Sequence, residues 1–174
     1  MTISGSELRK ELLEPGIEHY LGAKLPEVSR EELLARIEET LRFLYLSPEC
    51  AGDIPVTREI DDLWHLLILQ TAEYERLCRR LPGGKFIHHS SNQFLAYFGD
   101  ARNQENPLRN EVRMHGLYVQ NFGKFDRDRV RYWRLAAWLV QELGWTTEEL
   151  NDWLTHPEML PIAGLITRST NRSA

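Results

Sequence analysis

Asp61 and His65 stand four residues apart in a strongly helical segment, so both side chains leave one face of a helix about one turn from each other and can meet. Downstream, a Pro82-Gly83-Gly84 turn sends the chain back toward that helix and is followed by two adjacent histidines, His88 and His89. Two imidazoles and a carboxylate suit iron, zinc or manganese and leave coordination positions open for water or substrate. In an extended segment, neighbouring side chains point to opposite sides, so only one of His88 and His89 is expected to reach inward. The residue types leave three readings open. One is a metal site on Asp61, His65, His88 and His89. The second is metal-free catalysis. In the third, an Asp61–His65 hydrogen bond orients an imidazole packed beside Trp64 while the two histidines cap a loop. His-Glu-x-x-His is absent, since Leu66 follows His65 and no histidine lies four residues beyond it, which disfavours metalloprotease-type chemistry.

The segment that must carry the pair runs from about Arg58 to Arg80. At 100° per residue, Ile60, Leu63, Leu66, Leu67, Tyr74, Leu77, Cys78 and Leu81 form one broad apolar face. A second strip, Trp64, Ile68, Leu69 and Ala72, surrounds Asp61 and His65, so this helix is expected to be central and packed on two sides, with the pair partly enclosed. Trp64, Tyr74 and Phe86 would shape a pocket, with His115 as a further member. Glu111 precedes His115 by four, and the plainer reading of those two is a surface pair. His19 and His156 have no such partners and are expected to be structural or solvated.

Helix start signals recur along the chain. Ser29 with Glu32, flanked by Val28 and Leu33, predicts a capping box and staple opening a helix over 30–46. Thr146 with Glu149, flanked by Trp145 and Leu150, predicts the same for a short helix ending near Thr155. Asp126 caps an aromatic-rich helix that Gly144 ends, and Pro107 after Asn106 opens another that runs to Gly123. Ser90 to Asn92 read as a cap for a helix around Phe94 to Phe98, followed by a polar loop to Asn106. No period-two pattern is convincing. The expected fold is therefore all-α, a compact bundle of six to seven helices around the helix 58–80, with 1–166 as one domain and 167–174 as a flexible tail.

With 174 residues, 42% hydrophobic and 27% charged, one core suffices. A formal charge of -5 argues against nucleic acid or an anionic membrane as partner. Tyr132, Trp133 and Trp138 beside Arg127, Arg129, Arg131 and Arg134 are accordingly read as a core face with a solvated opposite face, not a base-stacking stripe. Two cysteines, Cys50 and Cys78, make no disulfide framework; Cys78 falls on the apolar face as a small buried hydrophobe, and Cys50 in a loop without an activating neighbour. The polar opening of the chain and the lack of a long apolar run point to a cytoplasmic location without a membrane span.

Ile60-Asp61-x-x-Trp64-His65-x-x-Ile68-Leu69, then Thr71, Tyr74 and Cys78, then Gly84 and Phe86-Ile87-His88-His89, resemble bacterial proteins described as similar to plant glycine-rich-domain proteins. The likeness is dense over about 57–90, with a fainter echo at Tyr118, Phe122, Gly123 and Trp133. Ser90, Ser91 and Asn92 replace a proline that often follows the double histidine in that pattern, and no glycine-rich region is present. The resemblance implies that Asp61, His65, His88 and His89 belong to one unit. The leading function is then a small helical metal-binding protein, a metal-dependent enzyme using iron or zinc on a small molecule or peptide. No nucleotide cofactor is indicated. The competing class is a metal-free protein–protein interaction module with structural histidines.

Overall fold

Side-chain oxygens and prolines set where most of the helices begin in the computed structural model, which describes residues 2–50, 54–89 and 107–156. Ser4 and Glu7 form a reciprocal capping box for α1 (Gly5–Leu12), and Pro15 opens α2 (Pro15–Lys24). Ser29 accepts from the Glu32 amide at 3.2 Å to start α3 (Arg30–Leu46), but the Glu32 carboxylate turns to Arg36 and Arg131 instead of closing a box. α4 (Arg58–Leu69), α5 (Thr71–Arg80) and α6 (Pro107–Phe122) follow, then a four-residue α7 (Arg134–Ala137), and α8 (Thr147–Thr155) under a complete Thr146–Glu149 capping box. The described residues thus hold eight α-helices and no strand. The helix expected around Phe94 to Phe98, the loop to Asn106 and the tail 167–174 lie outside the described residues.

The central helix is α3, not the segment 58–80. It packs against α1, α2, α4 and α6, and buries Leu33, Ile37, Leu41, Phe43, Leu44 and Leu46 together with the polar Glu39 and Thr40. Burying those apolar side chains supplies the main driving force, at roughly 1.5–3 kcal/mol for each fully enclosed one.

The segment 58–80 is two helices. Gln70 leaves the helical region at φ -91°, ψ 63°; its amide bonds to the Leu67 carbonyl at 3.0 Å, and its carbonyl accepts from the Tyr74 amide at 2.8 Å to begin α5. Leu67 and Tyr74 are seven residues apart, two helical turns, so the apolar phase carries across the break and the pattern shows no trace of it. Of the second apolar strip only Trp64 is buried; Leu69 is 68% exposed. α4 therefore packs on one broad side, leaving Asp61 and His65 at the rim of the molecule instead of between two packed faces.

The helix expected from Asp126 is also interrupted. Asp126 Oδ1 accepts from the amides of Asp128 and Arg129, both at 2.9 Å, but the chain then makes a 3-10 turn, Val130–Tyr132, and extends at Trp133. Only then does α7 begin, running into a π-helical turn, Trp138–Glu142, that ends at Gly144 with φ +68°. Extension at Trp133 lets its indole N–H donate to buried Glu39 at 2.8 Å, a tertiary bond that outweighs local helix preference.

Candidate metal centre

Trp64, Tyr74 and the returning chain build a clasp across the break at Gln70. In an unbroken helix residues 64 and 74 would be about 15 Å apart along the axis. Here the Trp64 indole N–H donates to the Tyr74 hydroxyl at 2.8 Å, and that hydroxyl donates to the Ile87 carbonyl at 2.8 Å. Gly83 and Gly84, at φ +79° and +59°, supply the left-handed backbone that lets the chain reverse after α5. Running back along α5, residues 84–89 pass Tyr74 at Ile87 and reach Trp64 and Asp61 at His89.

His89 is the inward histidine. Its Nε2 lies 2.9 Å from Asp61 Oδ1, and its ring meets Trp64 edge to face with centroids 4.6 Å apart. Trp64 in turn packs on Phe43 of α3, so the wall behind His89 is anchored in the core. His88 is exposed and lies against Phe86, as the alternation of an extended segment requires. His65 Nδ1–H donates to the Asp61 carbonyl at 2.7 Å and sits 3.5 Å from Asp61 Oδ2, while its ring centroid is 4.3 Å from that of His89. One ligand atom from each of Asp61, His65 and His89 falls within 4.8 Å of the others. Side-chain exposure grades from 16% at His89 through 38% at Asp61 to 51% at His65, so the group is walled on the Trp64 side and open on the other.

The proton positions follow from the partners. A carbonyl only accepts, so His65 carries its proton on Nδ1 and keeps a lone pair on Nε2, the arrangement typical of metal-ligating histidines. Asp61 as carboxylate likewise draws the His89 proton to Nε2, between the ring and Oδ1. A cation entering there would take the Nε2 lone pair, with the ring proton passing to Nδ1. The set of one carboxylate and two imidazoles thus fits a divalent metal chemically as well as geometrically.

The remaining pocket candidates separate. Trp64 and Tyr74 are buried behind His89, and Phe86 packs on the far side of Tyr74 with 45% of its surface exposed. His115 is not a member of the group, and with Glu111 it is not a surface pair. Both are buried: His115 Nδ1–H donates to the Glu111 carbonyl at 2.6 Å, and Nε2 accepts from the Ala136 amide at 3.3 Å, so neither nitrogen is free for a ligand. Burial pushes its pKa down to about 4, against a smaller upward pull from the carbonyl bond. The Glu111 carboxylate pairs with Arg134. His19 is exposed on α2, and exposed His156 bonds the Asp152 carbonyl at the end of α8. Cys78 is buried as expected, while Cys50 is half-buried, its thiol pKa raised by desolvation.

Sequence reading passed over a buried polar cluster on α3. Glu39, fully buried and with its pKa raised by desolvation, accepts from Arg42 at 2.7 Å as well as from Trp133, and Arg42 also donates to the Tyr118 hydroxyl. The available signal was a carboxylate four residues before Phe43 and seven before Leu46, on the apolar face of its helix. Arg129 adds bonds to Glu38 and the Ala35 carbonyl, so Arg129, Arg131 and Arg134 of the basic run are all engaged with carboxylates of the chain.

An all-helical fold bearing a cluster of two histidines and one carboxylate defines the class. Within it, the chain matches the family model described as UCP032817-like over residues 6–118, from α1 into α6, and belongs to that uncharacterised family. The matched region includes Asp61, His65 and His89. It carries no link to plant glycine-rich-domain proteins, so that part of the resemblance is withdrawn. No curated protein and no solved structure matches the chain. Among the described residues no helix is long and apolar enough to cross a membrane.

Proposed function

We propose that Asp61, His65 and His89 bind one divalent metal, iron or zinc, and that the protein is a metal-dependent enzyme acting on a small molecule or peptide. The observation that carries this reading is the convergence of three ligand atoms within 4.8 Å, from two segments joined by a tight reversal. Metal bonds of about 2 Å set neighbouring ligands roughly 3 Å apart, so side-chain rotations must bring the most distant pair, up to 4.8 Å apart, closer by about 2 Å. The exposed side of His65 and Asp61 leaves room for further ligands, which a catalytic site requires and a closed structural site does not. A metal held there lowers the pKa of bound water or polarises a substrate oxygen. The chain's own part is to orient: the Asp61 carbonyl fixes the His65 tautomer, Trp64 walls one side of His89, and His89 would carry its proton on Nδ1 with Nε2 turned to the site.

Metal analysis of the purified full chain tests the reading. About one equivalent of iron or zinc is expected, lost in His65→Ala and His89→Ala variants that stay helical by circular dichroism. Protein that remains metal-free after incubation with each ion would refute it. The Asp61–His89 hydrogen bond would then be a structural clasp within an interaction module, a role its 2.9 Å geometry also supports.

A further inference from the structure

The geometry points to Tyr74 as the positioning residue of this centre, the group that decides whether His89 reaches Asp61. Three observations converge on its hydroxyl. That oxygen ties α4, α5 and the returning segment together, accepting from Trp64 Nε1 and donating to the Ile87 carbonyl, both at 2.8 Å. The carbonyl it holds is two residues before His89, which in extended backbone places residues 87 and 89 on the same side of the chain and fixes how far His89 is carried. The indole it holds is the surface on which the His89 ring rests, with centroids 4.6 Å apart. Tyr74 is 2% exposed, and burial raises its phenol pKa far above the physiological range, so it works as a neutral hydrogen-bonding group. Phe86, edge-on to the Tyr74 ring, adds a second contact between that ring and the segment. Without the hydroxyl, residues 85–89 keep the Gly83-Gly84 reversal but lose the bond that sets their distance from α4. His65 and Asp61, fixed on α4 by their own bond, stay in place. The centre therefore loses its third ligand and retains two.

The Zn2+ arm of the test rests on the metal reading; the spectroscopic arm does not. In the full chain, Tyr74→Phe removes one oxygen and keeps the buried ring. Tyr118→Phe, which removes a hydroxyl bonded to Arg42 elsewhere in the core, serves as the control for a general loss of packing or polar contacts. Zn2+ affinity, measured by competition with a chromophoric chelator, is expected to fall about 10- to 100-fold in Tyr74→Phe and to stay within about twofold in Tyr118→Phe. In metal-free protein, the His89 ring-proton resonances, shifted by the Trp64 ring, are expected to move toward ordinary values in Tyr74→Phe alone, with faster amide exchange confined to residues 85–89. Unchanged Zn2+ affinity or an unmoved His89 resonance in Tyr74→Phe would overturn the inference even where the wild type binds metal. If the wild type binds no Zn2+, the metal reading falls, and the His89 resonance alone decides the role of Tyr74. Equal losses in both variants would also overturn it, by showing only a general effect.

Discussion

Replacing His115 by glutamine should remove a defined slice of acid sensitivity from the fold. His115 is buried with Nδ1–H given to the Glu111 carbonyl and Nε2 taken by the Ala136 amide, a neutral ring with both nitrogens occupied. Its pKa falls from the ordinary 6.5 to about 4 because burial disfavours the imidazolium. The unfolded chain takes up a proton near 6.5, and the folded protein does so only near 4. Above 6.5 the stabilisation from the neutral ring is fully present; as pH falls from there toward 4, unfolding absorbs up to one proton. Stability then drops by up to about 1.4 kcal/mol per pH unit, or roughly 2 kcal/mol between about pH 6.5 and 5. Glutamine offers a donor and an acceptor but does not titrate. Urea unfolding of both proteins at about pH 7.5, 6.5, 5.5 and 5.0 gives the difference directly, and groups common to both cancel, including Glu39, whose raised pKa acts in the opposite direction. Any packing deficit of the variant shows as an offset at the highest pH, and its curve should converge on that of the wild type as pH falls. Parallel curves, differing by a constant within about 0.5 kcal/mol, would refute the argument and place a protonated or solvated ring at this position.

Four further outcomes follow from the same geometry. His88→Ala should retain metal and His89→Ala should lose it, read as metal equivalents after dialysis; retention in a variant lacking both would contradict the ligand assignment. Metal uptake should convert His89 from the Nε2–H to the Nδ1–H tautomer, because a cation on Nε2 leaves only Nδ1 to carry the proton; the ring 15N shifts with and without Zn2+ detect this, and an unchanged tautomer would count against it. Glu39→Ala should cost about 3–5 kcal/mol by denaturant unfolding, since it takes the balancing carboxylate from the largely buried Arg42 guanidinium and strands the buried Trp133 indole N–H; a loss under about 1 kcal/mol would mean that water reaches the cluster. Thr146→Ala, which opens the capping box of α8, should cost about 1 kcal/mol, while His156→Ala at the other end of that helix should change little.

Local chemistry was enough to place most of the helix boundaries. The Ser29 and Thr146 caps, Pro107 at a first turn, and the left-handed glycines Gly123 and Gly144 act within four residues of themselves, so their consequences are written where they stand. The i,i+4 pairing of Asp61 with His65 is of the same kind, because a single helical turn brings the two together whatever lies around them. What the linear order leaves open is decided by partners far along the chain. The break at Gln70 keeps the apolar phase and so leaves no mark in the pattern, yet without it Trp64 could not reach Tyr74. Trp133 leaves its helix for Glu39, ninety-four residues away, and His115, whose i,i+4 spacing from Glu111 suits a surface, goes instead into a core built by α6 and α7. The choice of His89 over His88 likewise depends on which side of an extended segment meets Trp64, and that is set by the hydroxyl of Tyr74. Most of these are polar groups largely closed off from water, where one hydrogen bond made or missed costs more than the local preference it overrides.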